Sequence, residues 1–128
     1  MYTGRAMSDL AVTVHSNVPV RCLGPSTRQL LAMRLDPTRT VLSPTTRRLQ
    51  DWRGLAEVLA GFHQTDVDYF QRRDCPTVEV LRVWSRDYEQ ASVGDVLNAL
   101  REIERYDILQ CPEFQRAVGK RWFYLTVG

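Results

Sequence analysis

Cys75 and His63 are the one pairing in this chain with the residue types of a thiol nucleophile and its base. Such a pair needs a third group to orient the imidazole, and amide donors to receive an oxyanion. The sequence specifies no acid or amide partner and no glycine-rich turn beside them, so Cys75 reads as a structural thiol preceding a helix. Glu102 and Glu104 are two residues apart, which turns them to different helical faces and away from paired acid–base work. Cys22, Cys75 and Cys111 form an odd set with neither CxxC nor His-ligand spacing. That pattern indicates no zinc site and no disulfide framework. No phosphate-cradling glycine loop occurs. The expectation is a non-enzyme with no cofactor or metal and with reduced thiols, acting in the cytoplasm.

The remaining chemistry open to charged side chains is recognition. Arginine carries nearly all the positive charge, with Lys120 the single lysine, and its planar fork binds carboxylates bidentately at interfaces. Arg47, Arg48 and Arg53 surround the start of one helix, Arg72 and Arg73 follow another, and Arg82 and Arg86 lie one turn apart on a third. Candidate acids are Asp66 and Asp68, then Glu79 and Asp87, then Asp95, Glu102 and Glu104. We expect the arginines of one protomer to face acids of the next.

The net charge of +2 hides an asymmetry. Residues 1–64 hold eight Arg against four acids, a surplus of +4, and residues 65–128 hold nine bases against eleven acids, giving −2. Opposite signs suit docking between like modules. They do not make the single basic field of a nucleic-acid binder. Contact between unlike surfaces escapes two-fold closure and builds a helical stack, homo- or hetero-oligomeric.

Positioning these charges falls to short amphipathic helices. Residues 1–25 mix small, polar and β-branched types without sustained periodicity and read as a flexible leader, with Val18, Pro19 and Val20 at the domain edge. Ser26 and Thr27 offer caps for a first helix to about Leu35, which buries Leu31 and Leu35. Residues 37–50 carry two prolines and a run of threonines, a long loop with only Val41 and Leu42 to bury and hence a candidate functional surface. Asp51 then caps a helix in which Trp52, Leu55, Ala56 and Leu59 fall at i, i+3, i+4 and i+7, the spacing of one buried face. Gly61 closes it.

A third helix starts at Thr65, with Asp68 in capping-box register, and buries Val67 and Phe70 or Tyr69. Pro76 opens a fourth, with Val80, Leu81, Trp84 and Tyr88 on one stripe. Ser92 and Asp95 open a fifth, burying Val93, Val96, Leu97, Leu100 and Ile103. A sixth covers Asp107–Gln110, is interrupted at Pro112 and resumes over 113–118, while residues 112–128 as a whole read as a weakly structured tail. The run Trp122-Phe123-Tyr124 within it has strand-like composition but no partner strand. No segment reaches the roughly 20 apolar residues needed to span a bilayer, so no membrane insertion is expected. The fold class is all-α.

The segments DWRGLAEVL (51–59), CPTVEVLRVW (75–84) and SVGDVLNALREIERYDIL (92–109) together resemble the death domain, over roughly residues 26–111. The likeness implies a six-helix antiparallel death-fold bundle that binds other death domains, its own copies and receptor-associated kinases included. In TRQLLAMRLDP (27–37), the long loop after it, and DWRGLA (51–56), the chain is similar to the myeloid differentiation primary-response adaptors of Toll and interleukin-1 receptors, in their invertebrate forms. Netrin-receptor death domains resemble residues 69–84 nearly as well. The adaptors carry a small-then-basic pair after the Pro-Thr of the fourth helix, where this chain has Val78 and Glu79, which implies a reversed interface charge. The adaptors also continue into a receptor-docking domain, so a chain stopping at Gly128 reads as a fragment, a short isoform, or a stand-alone death domain that caps assemblies.

Trp52 and Trp84, at helical spacing amid Leu and Val, read as core. Replacing either with Ala is expected to cost about 3–5 kcal/mol in a urea unfolding titration.

Overall fold

The structure, a computed structural model, describes residues 18–62 and 64–118. A 3-10 turn at Val20–Cys22 precedes seven α-helices. They are α1 (Pro25–Leu35), α2 (Trp52–Ala60), α3 (Gln64–Gln71), α4 (Pro76–Asp87), α5 (Val93–Glu102), α6 (Tyr106–Leu109) and α7 (Pro112–Val118). Among the described residues β-structure is limited to two isolated bridges, Pro19 with Ser92 and Leu42 with Leu49. The expected sixth helix is therefore two. The Cys111 amide bonds back to the Ile108 carbonyl and closes α6. Pro112, which has no amide to donate, then starts α7 in the first turn, where none is needed.

Both assigned ends need correction. Residues 18–25 are part of the packed body: the Val20 amide donates to the Ala91 carbonyl at 3.0 Å, and Val93 donates to Val18 at 2.8 Å. Val20 and Leu23 are buried. At the other end, residues 112–118 of the supposed tail are helical, and Phe114 is fully buried. Trp122, Phe123 and Tyr124 lie outside the described residues, as does His63.

One apolar cluster joins the helices. Leu31, Leu35, Trp52, Leu55, Phe70, Leu81, Trp84, Val96, Leu97 and Leu100 are all buried in it. Trp52 meets Phe70 edge-on, with ring centroids 6.5 Å apart, a favourable aromatic geometry. Leu59 is only half-buried at the rim of the cluster. Tyr88 departs from its stripe and is 52% exposed, because α4 ends at Asp87 and the extended backbone at Tyr88 turns the ring away. Phe70, not Tyr69, is the buried aromatic of α3.

The helix starts differ in how their orphan amides are satisfied. Asp51 accepts the Arg53 amide at 2.9 Å and caps α2, and Gly61 closes that helix with φ 61°. Ser92 and Asp95 form a reciprocal capping box on α5, both bonds at 3.1 Å. Ser26 and Thr27 do not cap α1: Gly24 is its N-cap and Pro25 its first residue, leaving both hydroxyls inside the first turn. Gln64 likewise starts α3 one residue before the expected Thr65. Cys75 gives α4 no side-chain cap. That role falls to Asp36, at the end of α1, whose Oδ1 accepts both the Thr77 amide (2.9 Å) and the Thr77 hydroxyl (2.6 Å).

The long loop between α1 and α2 is pinned by polar contacts, while Val41 and Leu42 are exposed. Ser43 is fully buried, and its hydroxyl accepts the Arg48 amide at 2.7 Å. Thr46 donates its hydroxyl to the Glu102 carbonyl, and Gln50 donates to the carbonyls of Ile103 (3.2 Å) and Glu104 (3.3 Å). The loop thus lies against the α5–α6 turn. Gly54 makes this approach possible: a Cβ there would sit 1.8 Å from the Leu49 carbonyl oxygen and 3.1 Å from Ile103 Cγ2. Gly54→Ala improves intrinsic helix propensity by about 1 kcal/mol. It is nevertheless expected to destabilise the domain by about 1–3 kcal/mol in thermal unfolding, because backbone must move to admit the methyl.

Candidate protein-interaction surfaces

A buried guanidinium organises one end of the bundle. Arg105 is 2% exposed. Its Nε and Nη2 donate to the two carboxylate oxygens of Asp107, each at 2.9 Å. Its Nη1 donates to the carbonyls of Gln50 (2.7 Å) and Arg34 (3.1 Å). The end of α1, the long loop and α6 therefore meet on one side chain. The Arg105 hydrogen bonds hold the Asp107 carboxyl below its ordinary range, and the charge of Arg105 and the Ile108 amide act in the same direction. The sequence reading passed over this pair, since an Arg-x-Asp spacing carries no signal that the arginine will be buried.

The arginines nominated around the start of α2 are turned largely toward their own chain. Arg48 pairs with Glu57 at 2.6 Å and approaches Glu102 at 3.8 Å. Arg53 pairs at 2.6 Å with the carboxylate of Asp51, a residue with no exposed surface, and also donates to the Arg39 carbonyl. Arg47 is exposed on a left-handed backbone, φ 60°. Of these three, the geometry leaves Arg47 turned to solvent.

On α3 and α4 the nominated residues come together. Glu79 is held bidentately by Arg82, at 2.8 and 3.0 Å. That hydrogen-bonded guanidinium lowers the Glu79 carboxyl from its usual value, and the charges of Arg73 and Arg86 add to the effect. Arg73 also stacks over the Tyr69 ring, 4.2 Å from its centroid. One carboxylate thus sits in the field of three arginines, on a surface that also carries Asp66, Asp68, Asp74 and Asp87 and is mixed in charge. The reversal expected at Glu79 is offset by its neighbours. Arg86 extends toward the adjacent Asp87 at 3.1 Å. Arg72 and Asp68 are exposed and Asp66 half-buried on α3.

The acids of α5 face elsewhere. Asp95 and Glu102 line an open groove together with Glu89, between α5, the ends of α2 and α4, and the N-terminal 3-10 turn. Glu104, φ 58°, instead accepts the Thr45 amide at 3.0 Å. The groove is thus mainly acidic, while the surface of α3, α4 and the turn between them interleaves four arginines with five acids. Among the described residues no group of His, Cys, Asp and Glu is arranged to hold a metal. No helix among them is long and apolar enough to cross a membrane.

A helical bundle that fixes distinct charged faces on one core defines a protein-interaction module. The death-domain family model matches residues 23–111, and the chain belongs to the death-domain family. Its members are non-enzymatic modules that bind other death domains. The match begins three residues before the expected boundary, taking in the buried Leu23. No solved structure matches the chain.

Arg105→Ala is expected to cost about 1–3 kcal/mol in urea unfolding, because the carbonyls of Gln50 and Arg34 lose their donor. Asp107→Asn reads the pair by pH. A carboxyl whose folded pKa lies below its unfolded one adds stability that is complete above the unfolded value, about 3.9, and lost as pH falls through the folded value. The variant is expected to be less stable than wild type at neutral pH and to lose less stability on acidification below about pH 4.

Proposed function

We propose that this chain is a death-domain adaptor module that stacks with other death domains and relays Toll and interleukin-1 receptor signals to kinases in the cytoplasm. The observation that carries the assembly step is a pair of differently charged surfaces on one bundle, a mixed one that presents four arginines among acids and a mainly acidic one. Arg72, Arg73, Arg82 and Arg86 gather on α3, α4 and the turn between them, and Glu89, Asp95 and Glu102 gather around the groove beside α5. Surfaces that differ in charge favour head-to-tail contact, which does not close on itself and grows as a stack. Receptor clustering raises the local concentration, and each weak contact then becomes effectively intramolecular for the next. Support for the Toll and interleukin-1 pathway comes from the likeness in residues 27–37 and 51–56. The pinned loop at 37–50 gives that part of the surface a fixed shape for a partner to read.

Light scattering over a range of protein and salt concentrations tests the assembly. Mass is expected to grow with protein concentration and fall as salt screens the contacts over about 8–10 Å. The double variant Arg72→Glu/Arg86→Glu is expected to stay monomeric and to lose capture of a death-domain kinase. A wild-type chain that remains monomeric throughout and captures no death domain overturns the proposal. Capture of a netrin-type receptor or an apoptotic kinase in place of the receptor-associated kinases overturns only the pathway. Inhibition of a reconstituted pathway by added chain overturns the relay and favours a capping regulator.

A further inference from the structure

The groove beside α5 has a volume of about 1090 Å³. That is slightly above the range, about 300–1,000 Å³, that holds a drug-sized ligand. Val58, Leu59 and the exposed Tyr88 ring give it apolar surface, and Glu89, Asp95 and Glu102 give it an acidic rim that Arg21, and Arg48 through its approach to Glu102, only partly offset. Its occupant must bring apolar surface and positive charge together. Residues 119–128, Gly-Lys-Arg-Trp-Phe-Tyr-Leu-Thr-Val-Gly, have that chemistry: two cations, no acid, and three consecutive aromatics.

We propose that the segment 119–128 docks in this groove of its own chain, with Lys120 and Arg121 facing the acidic rim and Trp122 to Tyr124 on the apolar lining. Lys120 and Arg121 lie within about 11 Å of Val118 when the chain is extended, and Trp122 to Tyr124 within about 22 Å, against a radius of gyration of about 13 Å for a domain of this size. The point of departure also suits it. Cys111, just before α7, accepts a hydrogen bond to its sulfur from Arg34 at the C-terminal end of α1 (3.7 Å), and α7 packs on α1. The other end of α1 adjoins the 3-10 turn that carries Arg21 to the groove. The N-terminal segment 1–17 does not match the rim, since Arg5 and Asp9 cancel. A docked segment would also shield Asp95 and Glu102 from partner copies, so it would compete with the assembly proposed above. The docking itself does not depend on that assembly.

The test uses the full chain in nitrogen-15 NMR under dilute, monomeric conditions. Trp122→Ala/Phe123→Ala is expected to shift the amides of Val58, Leu59, Asn98 and Ala99, equally at every protein concentration. The exposed-residue variant Glu89→Lys/Asn98→Lys is expected to leave the fold intact and raise acrylamide quenching of Trp122 fluorescence severalfold, read as the difference from the same chain carrying Trp122→Phe. Shifts confined to residues neighbouring Val118, or on another face, overturn the proposal. Shifts that grow with protein concentration assign the groove to a second copy and equally overturn docking in cis. Assembly is read separately by scattering, so a failure of stacking leaves the NMR result standing.

Discussion

The constraint on which this bundle turns is the burial of one guanidinium. A charged side chain with almost no exposed surface is tolerable only when its donors are paired, and Arg105 finds its acceptors on three separate pieces of chain. The end of α1 must present a free carbonyl at Arg34, the loop must bring Gln50 alongside, and α6 must start so that Asp107 turns back. Each requirement fixes a backbone position. The polar contacts of Ser43, Thr46 and Gln50 then follow, because a loop held at Gln50 lies across the α5–α6 turn over much of its length. A segment with almost nothing apolar to bury is thereby given one shape.

The parts of the fold that local rules govern were legible in the sequence. Asp51 before Trp52, the Ser92–Asp95 box, Pro76 at the start of α4 and Gly61 at the end of α2 each act within one turn, and the apolar stripes repeat at the helical period. What could not be read depends on residues far apart in the chain. The Asp36–Thr77 bonds join positions 41 residues apart, and Arg105 reaches the Arg34 carbonyl across 71. Gly54 looked like an ordinary helix position until the loop was seen to press on it. Periodicity also overreached at Tyr88, where the stripe continues past the residue at which the helix stops.

The candidate surfaces were legible in composition and only partly in arrangement. Arg48 and Arg53 have the right residue type for an interface, yet acids close at hand within the fold engage them. The α3–α4 set stayed together because residues 73, 82 and 86 lie near one another along the chain and act on the same carboxylate. Net charge by sequence half says nothing of which charges share a surface. Charge becomes a face only once helices have been packed: the acids Glu89, Asp95 and Glu102 meet around one groove although 13 residues separate the first from the last.

The carboxylate of Asp36 has an effect on the order in which structure can form. Because α4 has no cap of its own, its first amides are secured only after α1 has docked, so the helix is frayed at that end whenever the two are apart. Two helices that complete one another in this way melt as a unit. Slow amide exchange at Thr77 would then report the opening of α1 as much as that of α4, and the two helices constitute a single cooperative block within the domain.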